Sequence, residues 1–267
     1  MFPDVTFLGI DLYTWMMLAG VLVAIFLSLL LSDRVGLSVK LYRFMLVVTA
    51  VSIIVGYLSA VLFQSFYDYL ETGVFKWGSG ATFYGGLIGA AVVFLTLYFS
   101  IGHVLFRDRE HIAMLPKVVN LAFTCIVLAH AIGRIGCLFA GCCYGAETDV
   151  FGSNMYAEGV FAKRVPTQLL EAIFLFLLFG LMVCLLVGFK NEYVTSAYLI
   201  FYGVWRFLIE YLRADDRGAS GISFLQPSQL TAIVLVLLGV ALAVLYRAAL
   251  KKQFLKLEKQ REEVKAQ

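Results

Sequence analysis

IVLAHAIGRIGCLFAGCCYG (126–145) and AYLIFYGVWRFLIEYLRADD (197–216) are each apolar enough to cross a bilayer, yet each holds an arginine within the apolar run, Arg134 and Arg206. A guanidinium does not give up its proton, and placing one at the centre of a bilayer costs at least ~2.5–3.5 kcal/mol. Such a residue faces a protein interior or a wet cavity and takes an anionic partner. For Arg206 the nearest acid is Glu210, one helical turn away. The helix of Arg134 carries no carboxylate. Its partner is therefore a residue of another helix, with Glu171 the nearest candidate by depth, or a phosphate brought from the membrane.

The rest of the chain agrees with membrane insertion. Of 267 residues, 61% are hydrophobic and 15% charged, whereas a soluble domain is nearer half apolar and a quarter charged. A span needs about 20 mostly apolar residues, and seven segments qualify: 11–32, 43–65, 84–105, 117–140, 167–188, 194–213 and 229–249. The expected fold is an all-α integral membrane protein of about seven transmembrane helices. One polytopic domain covers 1–250, and 251–267 forms a basic, charged cytoplasmic tail. Lys and Arg favour cytoplasmic loops. Fourteen of the 21 basic residues fall on one side of this arrangement and five on the other, the remaining two being Arg134 and Arg206. That places the N-terminus outside and the C-terminus inside. No basic run precedes the first segment, so no cleaved signal peptide is expected. A net charge of +3 is accounted for by topology, and no nucleic-acid partner is expected.

Helical spacing gathers the polar residues. His130, Arg134 and Cys137 recur at four and three residues and so share a face. Tyr202, Arg206, Glu210 and Arg213 recur at four, four and three. Given the orientation, both stripes reach the outer leaflet, where the third segment opens with TFYGGLIGA (82–90). Simpler readings compete with this one. Arg206 and Glu210 can neutralise each other as an i,i+4 pair, and His130 can be an interior histidine. Gly85, Gly86 and Gly89 form a small-residue helix-packing face, as do Gly133 and Gly136. Cys125 and Cys184 behave as small apolar residues. Cys137, Cys142 and Cys143 lie where a disulfide is permitted. A structural zinc site takes four ligands at familiar spacings, which this run does not offer; no metal and no cofactor are expected. A C-x-x-C pair, which would mark a thiol redox relay, is missing as well.

HAIGRIGCLFAGCCYG, with GGLIGA upstream, VPTQLLEA between and YGVWRFLIEYLRADD downstream, resembles the prolipoprotein diacylglyceryl transferases in the order and spacing of its motifs. Thr167, Gln168, Leu169 and Glu171 stand in that family's H-P-S-Q-L-Y-E stretch. The resemblance covers most of the chain from about Thr82 to Leu212. It implies a multi-pass protein of the bacterial plasma (inner) membrane, with its active site towards the outer leaflet. It also implies transfer of the diacylglyceryl unit of phosphatidylglycerol to the lipobox cysteine of a prolipoprotein precursor. Arg134 and Arg206 match the family's head-group arginines, and a guanidinium suits that role through two parallel hydrogen bonds to a phosphate. Four positions depart from the pattern: Cys137 and Ala140 replace asparagines, Cys142 replaces a glutamate, and Tyr84 replaces the histidine before Gly-Gly.

The residues expected to carry the chemistry are Arg134, Arg206, Glu210, Tyr84 and His130. Gly85, Gly86, Gly133, Cys137, Cys142, Gln168 and Tyr202 are expected to line the substrate. The expected partners are an anionic, phosphatidylglycerol-like phospholipid and a prolipoprotein. Alternatives are a relative using another phospholipid or acceptor, one in which Cys137 or Cys142 carries lipid transiently, a non-catalytic lipid-binding or transport protein, and a membrane thiol oxidoreductase.

Overall fold

A computed structural model describes residues 6–78, 80–150, 152–157, 160–189, 192–214 and 225–265. Lys190 and Arg217, the side chain of Tyr84, and the tail side chains from 252 onward lie outside the described residues. Eight helices occur among them: α1 (Leu12–Val35), α2 (Val39–Thr72), α3 (Phe83–Leu105), α4 (Glu110–Ala113), α5 (Leu115–Ala140), α6 (Thr167–Val183), α7 (Val194–Ile209) and α8 (Pro227–Lys265). The chain is an all-α integral membrane protein. Six helices are long and apolar enough to cross a bilayer, and they match six of the seven segments expected from hydropathy.

The seventh segment, 194–213, is less regular. Its α-helix has 16 residues, about 24 Å at 1.5 Å per residue. The backbone then tightens into a 3₁₀ turn at Glu210–Leu212, which adds about 6 Å. Together they reach about the ~30 Å of a hydrocarbon core. The tight turn falls where the charged residues collect. Large apolar side chains face outward along the helices, among them Leu22, Phe26, Leu177 and Leu237, while Gln168, Glu171 and Arg206 are buried. A soluble protein would reverse that distribution.

Two compact units make up the chain, residues 36–116 and residues 1–35 with 117–267. In the first, α2 and α3 form a close hairpin. Ser38 caps α2 by accepting from the Leu41 amide at 3.1 Å. A Cβ on Gly85 would sit 2.6 Å from Phe63 Cβ, and one on Gly86 would sit 3.2 Å from Ala60 Cβ. Ser59 Oγ donates to the Gly85 carbonyl at 2.9 Å. Only small residues allow two helix backbones so near. At the other end of this hairpin His111 is fully buried, packed against Gly102, Tyr98 and Phe106. Its carbonyl accepts from Tyr98 Oη at 2.6 Å.

The second unit joins α1 to α5–α8. Gly20 of α1 meets the Ala129 carbonyl, Gly133 meets Met17 Sδ, and Gly136 meets Met16, so α1 lies on the small-residue face of α5. Gly203 and Gly239 bring α7 and α8 into similar contact. Asn120 of α5 ties down the start of α7. Its Oδ1 accepts from the Thr195 amide and hydroxyl at 3.0 and 2.6 Å, and its Nδ2 donates to the Glu192 carbonyl at 3.1 Å. α6 continues through a π-helical turn at Cys184–Gly188. Between α5 and α6 the loop carries an antiparallel hairpin, β3 (Ser153–Ala157) with β4 (Val160–Arg164). A shorter pair, β1 (Thr6–Phe7) with β2 (Ile10–Asp11), precedes α1. Hydropathy carries no signal for either hairpin. α8 runs on helically past its apolar stretch to Lys265.

Candidate functional site

The end of α5, the start of α6 and the end of α7 bring their charged residues to one place. Glu171, fully buried on the first turns of α6, is the hub. Arg134 Nε lies 3.0 Å from its Oε2, and Tyr202 Oη donates to its Oε1 at 3.0 Å. Arg213 Nη1 lies 4.0 Å from the same carboxylate. Glu210 forms a second centre, with Arg206 Nη1 at 2.8 Å and Arg213 Nε at 3.8 Å from its Oε2. Arg213 therefore links the two carboxylates. The arginine expected to lack a partner on its own helix finds one across the bundle.

Spacing accounts for each position. Arg206 and Glu210 stand one turn apart on α7, and the 3₁₀ turn at Glu210–Leu212 swings Arg213 back towards both acids. Tyr202, which donates to Glu171, stacks its ring on that of Tyr198 at 5.5 Å. His130 packs edge-on against Tyr202 with centroids 5.1 Å apart and accepts from Arg134 Nε at 3.3 Å. That bond occupies the Nε2 lone pair, and Nε2 also lies 3.9 Å from Glu171.

Three guanidiniums face two carboxylates among the described residues, with the side chain of Glu171 at 0% exposure and that of Arg213 at 2%. Buried charges need pairing or they cost several kcal/mol each. Arg206 is 6% exposed, and its Nη2 has no hydrogen-bond partner among the described residues. A buried donor left in this state favours an incoming acceptor.

The cysteines form a second group beside the first. Cys137 ends α5, and Gly141 (φ 76) and Cys143 (φ 62) turn the chain back over that end. Glycine takes such a left-handed conformation freely, whereas a cysteine does so only when its surroundings hold it. Here Gln168 Nε2 donates to the Cys142 carbonyl at 2.6 Å and Thr167 Oγ1 to the Cys143 carbonyl at 2.7 Å. Ala214 N donates to the Tyr144 carbonyl. The three sulfurs lie within 4.8 Å of one another, and the cysteines are unbridged. The Cys143 thiol is held well below its ordinary range by hydrogen bonds from Cys137 and Cys142 and then by Arg213. Thiol hydrogen bonding pushes Cys142 the other way.

Of the residues singled out from the sequence, Arg134, His130, Tyr202, Arg206 and Glu210 stand in the charged cluster, with Cys137, Cys142 and Gln168 in the adjoining loop. Gln168 acts on backbone there, and Gly133 sits in the contact with α1. Gly85 and Gly86 belong to the α2–α3 hairpin, as does Tyr84 by its backbone. Glu171 and Arg213 emerge as the links between the other members. Glu171 was legible as a partner for Arg134, and Arg213 lay on the α7 stripe with Arg206 and Glu210, but nothing in its spacing paired it with Glu171. No sequence signal pairs Arg213 with Cys143.

A sequence model of the prolipoprotein diacylglyceryl transferase family matches residues 3–245. The chain is also similar to curated proteins named phosphatidylglycerol–prolipoprotein diacylglyceryl transferase. The one from Clostridium tetani is 35% identical over 168 residues, 61% of this chain and 63% of the relative. A second, from Clostridium perfringens, is 36% identical over 172 residues, 62% of each. For both, the chain spans a little over three fifths of the relative's length. The protein from Streptococcus pneumoniae is 29% identical over 252 residues, 89% of this chain and 90% of the relative.

Proposed function

The chain belongs to the prolipoprotein diacylglyceryl transferase family, and on that premise we propose that it moves the diacylglyceryl group of phosphatidylglycerol to the lipobox cysteine of a prolipoprotein. It does so as a multi-pass protein of the bacterial inner membrane, N-terminus outside and C-terminus inside, with the charged cluster towards the outer leaflet. The observation that carries this reading is the buried Arg206 Nη2, which has no hydrogen-bond partner among the described residues and belongs to the same charged cluster as Arg134. Arg134 and Arg206 receive the lipid phosphate. Glu171 and Glu210 hold the two forks in place, so little reorganisation is needed when the lipid enters. As the carbon–oxygen bond to phosphate breaks and the carbon–sulfur bond forms, negative charge grows on the departing glycerol phosphate, which leaves carrying the proton given up by the thiol. Fixed donors in a poorly hydrated pocket stabilise that charge more than water does. Tyr202 and His130 complete the wall around Glu171.

The test is reconstitution in phosphatidylglycerol liposomes with a lipobox peptide, reading the diacylglyceryl mass increase on the peptide. Activity is expected in the wild type and is expected to fall on the order of 10²–10³-fold in Arg134→Ala or Arg206→Ala. Near-normal turnover in either folded variant would end the phosphate-grip reading. A wild type that binds phosphatidylglycerol but modifies no peptide would favour a lipid-binding role.

A further inference from the structure

The three cysteines at the end of α5 remain without a part in the transfer reaction. Hydropathy-based reasoning found no fourth ligand in their spacing, but the fold brings three sulfurs within 4.8 Å of one another. Thiolate ligands about 2.3 Å from one ion sit about 3.8 Å apart in a tetrahedral arrangement, so the three reach a common ion with small side-chain rotations. The loop is built before any ion arrives. Cys142 and Cys143 are fixed through their carbonyls by Gln168 and Thr167, both fully buried, and Cys137 by the helix itself. Cys143 takes positive φ without being glycine, and that conformation turns Cys142 and Cys143 back towards Cys137.

Charge gives a second, independent argument. Three thiolates around a divalent ion carry one net negative charge, and Arg213, hydrogen-bonded to Cys143, supplies one positive charge at the contact. Its side chain is 2% exposed, so the compensation is not diluted by water. Soft thiolates select ions of the zinc class over calcium or magnesium. We propose that Cys137, Cys142 and Cys143 form a three-thiolate site for a soft divalent metal ion, held neutral by Arg213. Three protein ligands leave a fourth coordination position for water or an exogenous ligand. Loading would draw Arg213 towards sulfur and away from an incoming phosphate, so binding is measured without added lipid.

The experiment titrates reduced, metal-free protein in detergent with cadmium and follows thiolate-to-metal charge-transfer absorption. One equivalent is expected to bind. Binding is expected to vanish in Cys143→Ser and persist in Cys125→Ser, whose cysteine is remote from the cluster. Arg213→Gln is expected to weaken affinity about 10–100-fold, the usual cost of losing an outer-shell partner. Because a cysteine variant can misfold, alkylation of the wild type gives a parallel reading: cadmium should protect Cys137, Cys142 and Cys143, and a chelator should restore their labelling. Absence of charge transfer in folded wild type, equal loss in Cys125→Ser, unprotected thiols, or a disulfide within the trio in protein isolated from cells would each overturn the proposal. None of these readouts depends on transferase activity.

Discussion

Glu171 shows how one side chain can organise three helices. It takes Arg134 from α5, Tyr202 from α7 and, at 4.0 Å, Arg213 beyond the 3₁₀ turn. Removing one partner of a buried ion pair is more damaging than never having the pair, because a charge is left behind without compensation. Glu171→Gln keeps the shape and is expected to cost about 3–5 kcal/mol, read as a lowered unfolding midpoint in detergent. An unchanged midpoint would mean that Arg134 finds water or another acid, and the hub role would fall. Much of this was readable beforehand. Two arginines in apolar stretches demand acids, and depth in the membrane singles out Glu171. The role of Arg213 was not readable, because it depends on a backbone tightening that residue spacing does not encode. The grouping of the thiols was hidden for the same reason: it rests on Gly141 and Cys143 taking left-handed conformations, and only glycine advertises that in a sequence.

At the scale of the element, hydropathy located six helices, since lipid solvation rewards continuous apolar runs and admits only helices and closed barrels. Of these, α2 and α8 run well past the expected bounds. Hydropathy overran at α7, where polar residues end the regular helix early, and it was silent on the two hairpins, whose strands of two and five residues are too short for a span. The α2–α3 hairpin offers a test through His111. Burial first, then the neighbouring His103 and Arg109, hold its pKa below the ordinary 6.5. Neither ring nitrogen has a hydrogen-bond partner among the described residues. The folded state therefore prefers the neutral ring, while the unfolded chain takes up a proton at higher pH. Between the two pKa values the unfolded state binds more protons, so stability rises with pH. The contribution is complete above about pH 6.5 and is lost as pH falls towards the folded-state value. Unfolding midpoints measured from pH 7.5 down to 5, over about that range, should decline in the wild type and decline less in His111→Leu. Parallel profiles would show that other groups govern the acid limb.

For the molecule as a whole, the charged cluster is assembled from pieces that are far apart along the chain, and this bears on how the protein is made. Arg134 leaves the ribosome well before Glu171, and Glu171 before Arg206, Glu210 and Arg213. Until α6 arrives, α5 would enter the bilayer with a naked guanidinium, a cost of ~2.5–3.5 kcal/mol on insertion scales. The stretch 141–166, with its β3–β4 hairpin, separates the two helices. Its length sets how long the translocation machinery must hold α5 before release. Chains halted after residue 150 should therefore show α5 poorly integrated, and chains halted after residue 200 should show it secured, as read by glycosylation or protease mapping. Equal integration at both stops would mean that α5 settles alone. If the expected order holds, α5 and α6 enter the membrane as a pair, and the ion pair that later steadies the site first serves as the latch that admits its own helix.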